Sequence, residues 1–182
     1  MAALTVPFHR LSRLARTMQV VTTVGIVLFV VLMTLCFVIP DWTRNLLLAR
    51  LGHVGAQLPV TPEARAVAAA VLLLPVGLMI YGLLAVRALF GEFATGRVFT
   101  EGAARHLQVF GFSVLAQAPL GPLTSVVLSL AVSMMNESGQ RMGALSFSLH
   151  DYFALIVGGV LLAIATVMRE AARLADENAT FV

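Results

Sequence analysis

"TMQVVTTVGIVLFVVLMTLCFVIP" fills positions Thr17 to Pro40 without a single charge. At about 1.5 Å per helical residue, such a run reaches roughly 36 Å and crosses a hydrocarbon core of about 30 Å. A cleaved signal peptide is the rival reading. Its apolar region is shorter than this, and the following "FVIPDWTRN" has no small-x-small cleavage site. The stretch therefore reads as a transmembrane helix, and the rest of the chain fits around it.

Composition agrees. Of 182 residues, 59% are hydrophobic and only 12% charged, with a mean hydropathy of +0.94. A soluble domain of this size covers its surface with about twice that share of charge. Three more charge-free runs follow: Ala66–Val86, Leu107–Met135 and Tyr152–Met168. Pro75 interrupts the second and predicts a kink. The third is longer than a straight span requires and contains "APLGPL", with Pro119 and Pro122 around Gly121. It reads as one helix that is tilted, kinked or locally unwound there. The expected fold is an all-α membrane protein, a single bundle of four transmembrane helices. The spans are about 17–40, 64–87, 107–135 and 149–170, with a turn over 88–106 and a tail over 171–182.

Local signals mark the ends. Trp42 sits where an interfacial aromatic belongs, and Asp41 caps a short amphipathic helix ending at Gly52. Thr61-Pro62-Glu63 is a helix start, with a cap, a proline at the first position and an acid in the first turn. Ser148-Leu-His-Asp151 matches a capping box for the last span. Within that span Ala154/Gly158 and Gly159/Ala163 are small-xxx-small pairs, which let helix backbones approach closely in lipid. The charged "REAARLADEN" carries this helix beyond the bilayer.

All twelve basic residues are arginine. Eight lie on the N-terminal arm, the turn after span two and the tail; four lie on the opposite loops. This bias places both termini in the cytoplasm, and the protein in an inner, cytoplasmic membrane with bulk lipid around it. A net charge of +3, scattered and without interleaved aromatics, excludes a nucleic-acid surface.

Little points to chemistry. Cys36, the lone cysteine, excludes an internal disulfide or thiolate cluster. His9, His53, His106 and His150 show no helical ligand spacing. His53 and His150 with Asp151 do not assemble a tetrahedral set, so no metal is expected. No P-loop, dinucleotide fingerprint or nucleophile elbow occurs, and "GFSVL" lacks the elbow's second glycine. No catalytic residue or cofactor is assigned. The spans carry no ionisable group at mid-depth, which argues against proton-coupled transport.

Two places stay open to function. One is the third span, where Ser113, Gln117, Thr124, Ser125, Ser129 and Ser133, beside Pro119 and Pro122, offer a polar pathway or ligand site; the alternative is that these groups bond to their own backbone or a neighbour. The other is the charged turn. "RALFGEFATG" is a helix end with Gly91 and Gly96 as breakers and Arg87 in its last turn. Thr100 then caps the next helix, and Glu101 and Arg105 are i, i+4 partners. Phe90, Phe93 and Phe99 in a wet turn seek burial in lipid, tail or partner. With Glu92, Arg97, Glu101, Arg105 and, from the tail, Glu177, they form a candidate partner-binding face. Leu89-x-x-Glu92-x-x-Thr95 also has an echo in Leu174-x-x-Glu177-x-x-Thr180, as two parallel hairpins would produce.

"GRVFTEGAARHLQVFG" and the ending "AARLADENATFV" resemble the domain-of-unknown-function (DUF) family 2975, bacterial four-helix membrane proteins. The chain departs from the family pattern at Gly102 and Ala179, where an acid or amide is common. The resemblance implies no catalytic residues. It does imply a membrane partner for a small regulator, since some members resemble proteins encoded beside helix-turn-helix regulators. The expectation is a non-enzymatic accessory or regulatory membrane protein that docks a partner, or self-associates, at its cytoplasmic face. The alternative is a small facilitator or a lipid- or small-molecule-binding protein using the third span.

Overall fold

The computed structural model describes residues 5–39, 41–42, 45, 62–133 and 148–180. The short helix expected after Asp41 falls largely outside them. Among the described residues four long helices carry the fold: α1 (Thr5–Val38), α2 (Pro62–Ala94), α3 (Glu101–Ser133) and α4 (Leu149–Thr180). Each contains a stretch long and apolar enough to cross a membrane: Leu11–Val38, Ala66–Ala94, Glu101–Leu130 and Leu149–Ala175.

What is buried explains why these helices associate. Of the twelve buried hydrophobic residues eight are alanine, whereas valines, leucines and phenylalanines line the outside. A water-soluble bundle has the reverse distribution. In lipid the outside is as apolar as leucine, so close backbone contact through small residues holds helices together.

Neighbours in sequence are neighbours in space, α1 on α2, α2 on α3 and α3 on α4. Each pair runs antiparallel, as the close approaches show. A β-carbon at Gly82 of α2 would lie 2.9 Å from Ser113 Cβ on α3. Gly111 of α3 meets Leu161 of α4, and further along Gly158 of α4 meets the Leu115 backbone. Two apolar clusters close the ends. Ala68 and Leu128, with Phe37 and Val71, join α1, α2 and α3 at one end. Leu89, Ala103, Leu107 and Ala165 join α2, α3 and α4 at the other, with Phe93, Leu161 and Met168 packed around them.

The prolines do not break their helices. α2 is continuous through Pro75, and α3 through Pro119 and Pro122; α3 is thus the one helix expected, and of the tilt, kink or local unwinding expected at "APLGPL" the unwinding does not occur. A proline removes one donor and crowds one carbonyl, while neighbouring helices and side chains restore the lost bonding. The carbonyls that lose a donor are those of Val71, Leu115 and Ala118; beside them, Gln117 Nε2 of α3 donates to Pro75 O of α2 at 2.8 Å, and Ser125 Oγ donates to Gly121 O at 3.2 Å, as extra bonds to carbonyls near the prolines.

Candidate functional site

The charged turn is far shorter than the sequence implied. Only residues 95–100 leave helical geometry. Gly91 lies inside α2 and breaks nothing; Arg87 lies nearly two turns before the helix end. Gly96 terminates α2, with φ +81°. Gly96 N donates to Phe93 O and Arg97 N to Glu92 O, both at 3.1 Å, the paired bonds of a Schellman cap. α3 starts as its cap residue dictates: Ala103 N donates to Thr100 Oγ1 at 3.1 Å.

Between the two caps stands Glu92. Its carboxylate is 3.5 Å from Arg97 Nε, and its Oε1 lies 3.3 Å from where a β-carbon on Gly102 would be. That places a negative charge against the first turn of α3, where the helix dipole favours it. It also gives Gly102 a local reason: any side chain there would press on Glu92.

The expected Glu101–Arg105 ion pair is not formed among the described residues; both side chains are exposed. Glu177 pairs with Arg173 on its own helix at 3.8 Å and does not reach the turn. α4 meets the turn end differently, through Ala165 and Met168 in the cluster around Leu89, Ala103 and Leu107, and through an Arg169 to Gln108 hydrogen bond. The three phenylalanines separate. Phe90 and Phe93 meet edge to face, 6.3 Å between centroids, and both are half-buried. Phe99 is 64% exposed beside an equally open Arg97. The Leu89 and Leu174 echo is not an equivalence either. Leu89 is buried and Leu174 half exposed, and Thr95 lies in the turn whereas Thr180 is helical.

α1 joins this end through polar contacts. Arg87 Nε donates to Thr23 Oγ1 at 3.0 Å, and Thr23 in turn donates to Gln19 O at 2.7 Å.

The second candidate lies between α2, α3 and α4, a groove of about 430 Å³. α3 is its back, with Phe110, Ser113, Val114, Gln117 and Gly121. α2 forms one wall with Met79, Gly82 and Leu83; α4 forms the other with His150, Asp151, Phe153, Ala154 and Val157. Of the pathway residues read from the sequence, Ser113 and Gln117 line it. Pro122 and Ser125 are buried, Pro119 is exposed, and none of the three reaches the groove. The hydroxyls serve their own helix: Ser113 donates to Val109 O at 2.9 Å and Ser129 to Val126 O at 2.9 Å.

The wall residues Met79, Leu83, Phe110 and Val157 carry no sequence signal that separates them from lipid-facing neighbours. Gly82 and Ser113 do carry one, as small residues facing each other, but only once the α2–α3 register is known.

At the groove's polar rim, the Ser148-to-Asp151 capping box is made. Ser148 N and Oγ donate to Asp151 Oδ2 at 2.9 and 3.0 Å, and Asp151 N donates to Ser148 Oγ at 3.3 Å. Asp151 Oδ1 rests against Gly121, where a β-carbon would collide with it. Among the described residues no three His, Cys, Asp or Glu side chains converge as metal ligands.

The family described as "Protein of unknown function (DUF2975)" matches residues 50–182. The chain belongs to this family. The DUF2975 match takes in α2, α3 and α4, hence the capped turn and every wall of the groove, and leaves out α1. No curated protein and no solved structure matches the chain.

Proposed function

We propose that this DUF2975 protein is a non-enzymatic, multi-pass accessory or regulatory protein of the bacterial inner membrane. Its turn end docks a protein partner. The observation that carries this reading is Phe99, a large aromatic 64% exposed on a turn fixed at both sides. A rigid exposed aromatic with an adjacent arginine is the composition of an interface anchor. The arginine bias puts this end in the cytoplasm, with both termini. Among the described residues no three His, Cys, Asp or Glu side chains converge as a reactive or metal-binding cluster, and four helices of this apolarity fit a bilayer.

The test is gentle extraction of the tagged protein from its native membrane, with mass spectrometry of what co-purifies. A stoichiometric partner that is lost in Phe99→Ala and Arg97→Glu, with insertion unchanged, supports docking. Association unchanged in both variants defeats it.

The groove favours a second reading, a lipid- or small-molecule-binding membrane protein. Its volume of about 430 Å³ lies in the range of about 300–1,000 Å³ typical of ligand sites. Self-association remains a third use of the surface: Ala154/Gly158 is consumed within the chain, but Gly159 has open space before it and Ala163 is exposed.

A further inference from the structure

The groove has a direction. Its deep part is apolar, walled by Met79, Leu83, Phe110, Val114 and Val157. Two donors found there are already used within the protein, since Ser113 donates to Val109 O and the Gln117 amide nitrogen to Pro75 O. At the other end stand His150 and Asp151, the second and third residues of α4. That is where the apolar stretch of α4, Leu149–Ala175, begins.

The length of the groove fits one leaflet. It runs along α3 from Gly121, beside Asp151, to Phe110. Eleven helical steps cover roughly 16 Å, against about 15 Å for half a hydrocarbon core. Below Phe110 the walls converge, because Leu89, Ala103, Leu107 and Ala165 bring α2, α3 and α4 together. The shape is therefore a slot, open at the rim and closed near mid-membrane, that suits a hydrocarbon chain entering from one side.

Asp151 says what the head should carry. Its Oδ2 takes both Ser148 bonds, whereas no donor among the described residues reaches Oδ1. Asp151 is also the sole charged carboxylate or guanidinium lining the groove among the described residues. A half-buried carboxylate oxygen without a donor favours a ligand that brings one, and an ammonium brings three together with the opposite charge. The helix N-terminus by itself would attract an anion, but the Asp151 carboxylate already lies in its first turn, closing the capping box with Ser148.

We propose that the groove binds one phospholipid with a primary-ammonium head of the ethanolamine class. One acyl chain lies along α3, and the ammonium donates to Asp151 Oδ1. This rests on the ligand-binding reading of the groove and names its ligand.

The test uses the full-length protein in phosphatidylcholine vesicles, whose trimethylated heads have no N–H to donate. A trace phospholipid with a photoreactive acyl chain is added, carrying either an ethanolamine or a glycerol head. The expected result is labelling of the Met79–Leu83 and Phe110–Val114 segments, stronger for the ethanolamine probe by about tenfold, the scale of one charge-assisted hydrogen bond. Asp151→Asn, which keeps an oxygen for Ser148, removes the preference while leaving the melting temperature close to that of the parent. Ala154→Trp fills the slot and abolishes labelling by either probe. Equal labelling by both heads, unaffected by Asp151→Asn, overturns the head-group assignment and leaves a groove that takes any lipid. Absence of label from both segments with either probe overturns the groove reading as well.

Discussion

Gly158 of α4 lies directly against the backbone of Leu115 on α3. A β-carbon at position 158 would stand 2.6 Å from Leu115 N and 2.7 Å from its Cα. The obstacle is main chain, which cannot rotate away, so the two helices must separate to admit even a methyl group.

Gly158→Ala is therefore expected to destabilise the bundle by about 1–3 kcal/mol, the usual cost of overpacking. Gly159→Ala is the matched control. It has open space before it, and its effect should stay within about 0.5 kcal/mol. Thermal unfolding in detergent reads both. Equal melting temperatures for the two variants would contradict the packing described for α3 and α4.

Gln117 ties α3 to the proline-bearing turn of α2. Interhelical hydrogen bonds in membrane proteins average about 0.6 kcal/mol and reach about 1.7. Gln117→Ala should lower stability within that range. A larger loss would mean that the side chain also holds a ligand or a water in the groove.

The turn carries two independent caps. Thr100→Ala removes the acceptor for Ala103 N and is expected to cost about 1 kcal/mol. Gly96→Ala forces a β-carbon into a left-handed conformation, φ +81°, at a cost of about 1–2 kcal/mol. Hydrogen exchange separates them. Thr100→Ala should speed exchange at Ala103 and Ala104, and Gly96→Ala at Gly96 and Arg97.

Asp151 and Gly121 form a testable pair. Asp151→Ala deletes the capping box and should cost about 1 kcal/mol. Gly121→Ala pushes the carboxylate off its seat and should be destabilising by itself. In the double variant the collision has no second partner, so the two effects should fall short of additivity. Strict additivity would show that the contact has no energetic weight.

Much of the fold was legible because its signals are local. Charge-free length located the spans, and Thr100, Pro62 and the Ser148–Asp151 box marked helix starts, since a cap bonds within three residues of itself. Legibility ended where two distant segments had to be registered. Gly91 and Gly96 are both turn residues by type, but α2 continues through Gly91 and ends at Gly96, the one with a positive φ. The Glu101–Arg105 spacing suits an ion pair, yet exposed partners gain too little from pairing to hold one geometry. "APLGPL" promised an opening in α3; instead the helix continues and Gly121 receives an acid from α4. The groove itself was invisible, because its walls belong to helices that meet only in three dimensions. Which side chain of Phe90, Phe93 and Phe99 stays open was likewise a matter of the three-helix cluster that Phe93 packs against.

Chain order and spatial order coincide in this bundle. As the chain is synthesised, α2 finds α1 waiting, α3 finds α2, and α4 finds α3. The groove takes its walls from α2 and α4, helices that are not consecutive, laid on either side of α3. Like the apolar cluster of Leu89, Ala103, Leu107 and Ala165, it waits for the last helix during biogenesis. A chain stopped after α3 can already satisfy its α1–α2 and α2–α3 contacts while having nothing to bind with, so whatever occupies the groove can report that the final helix has arrived.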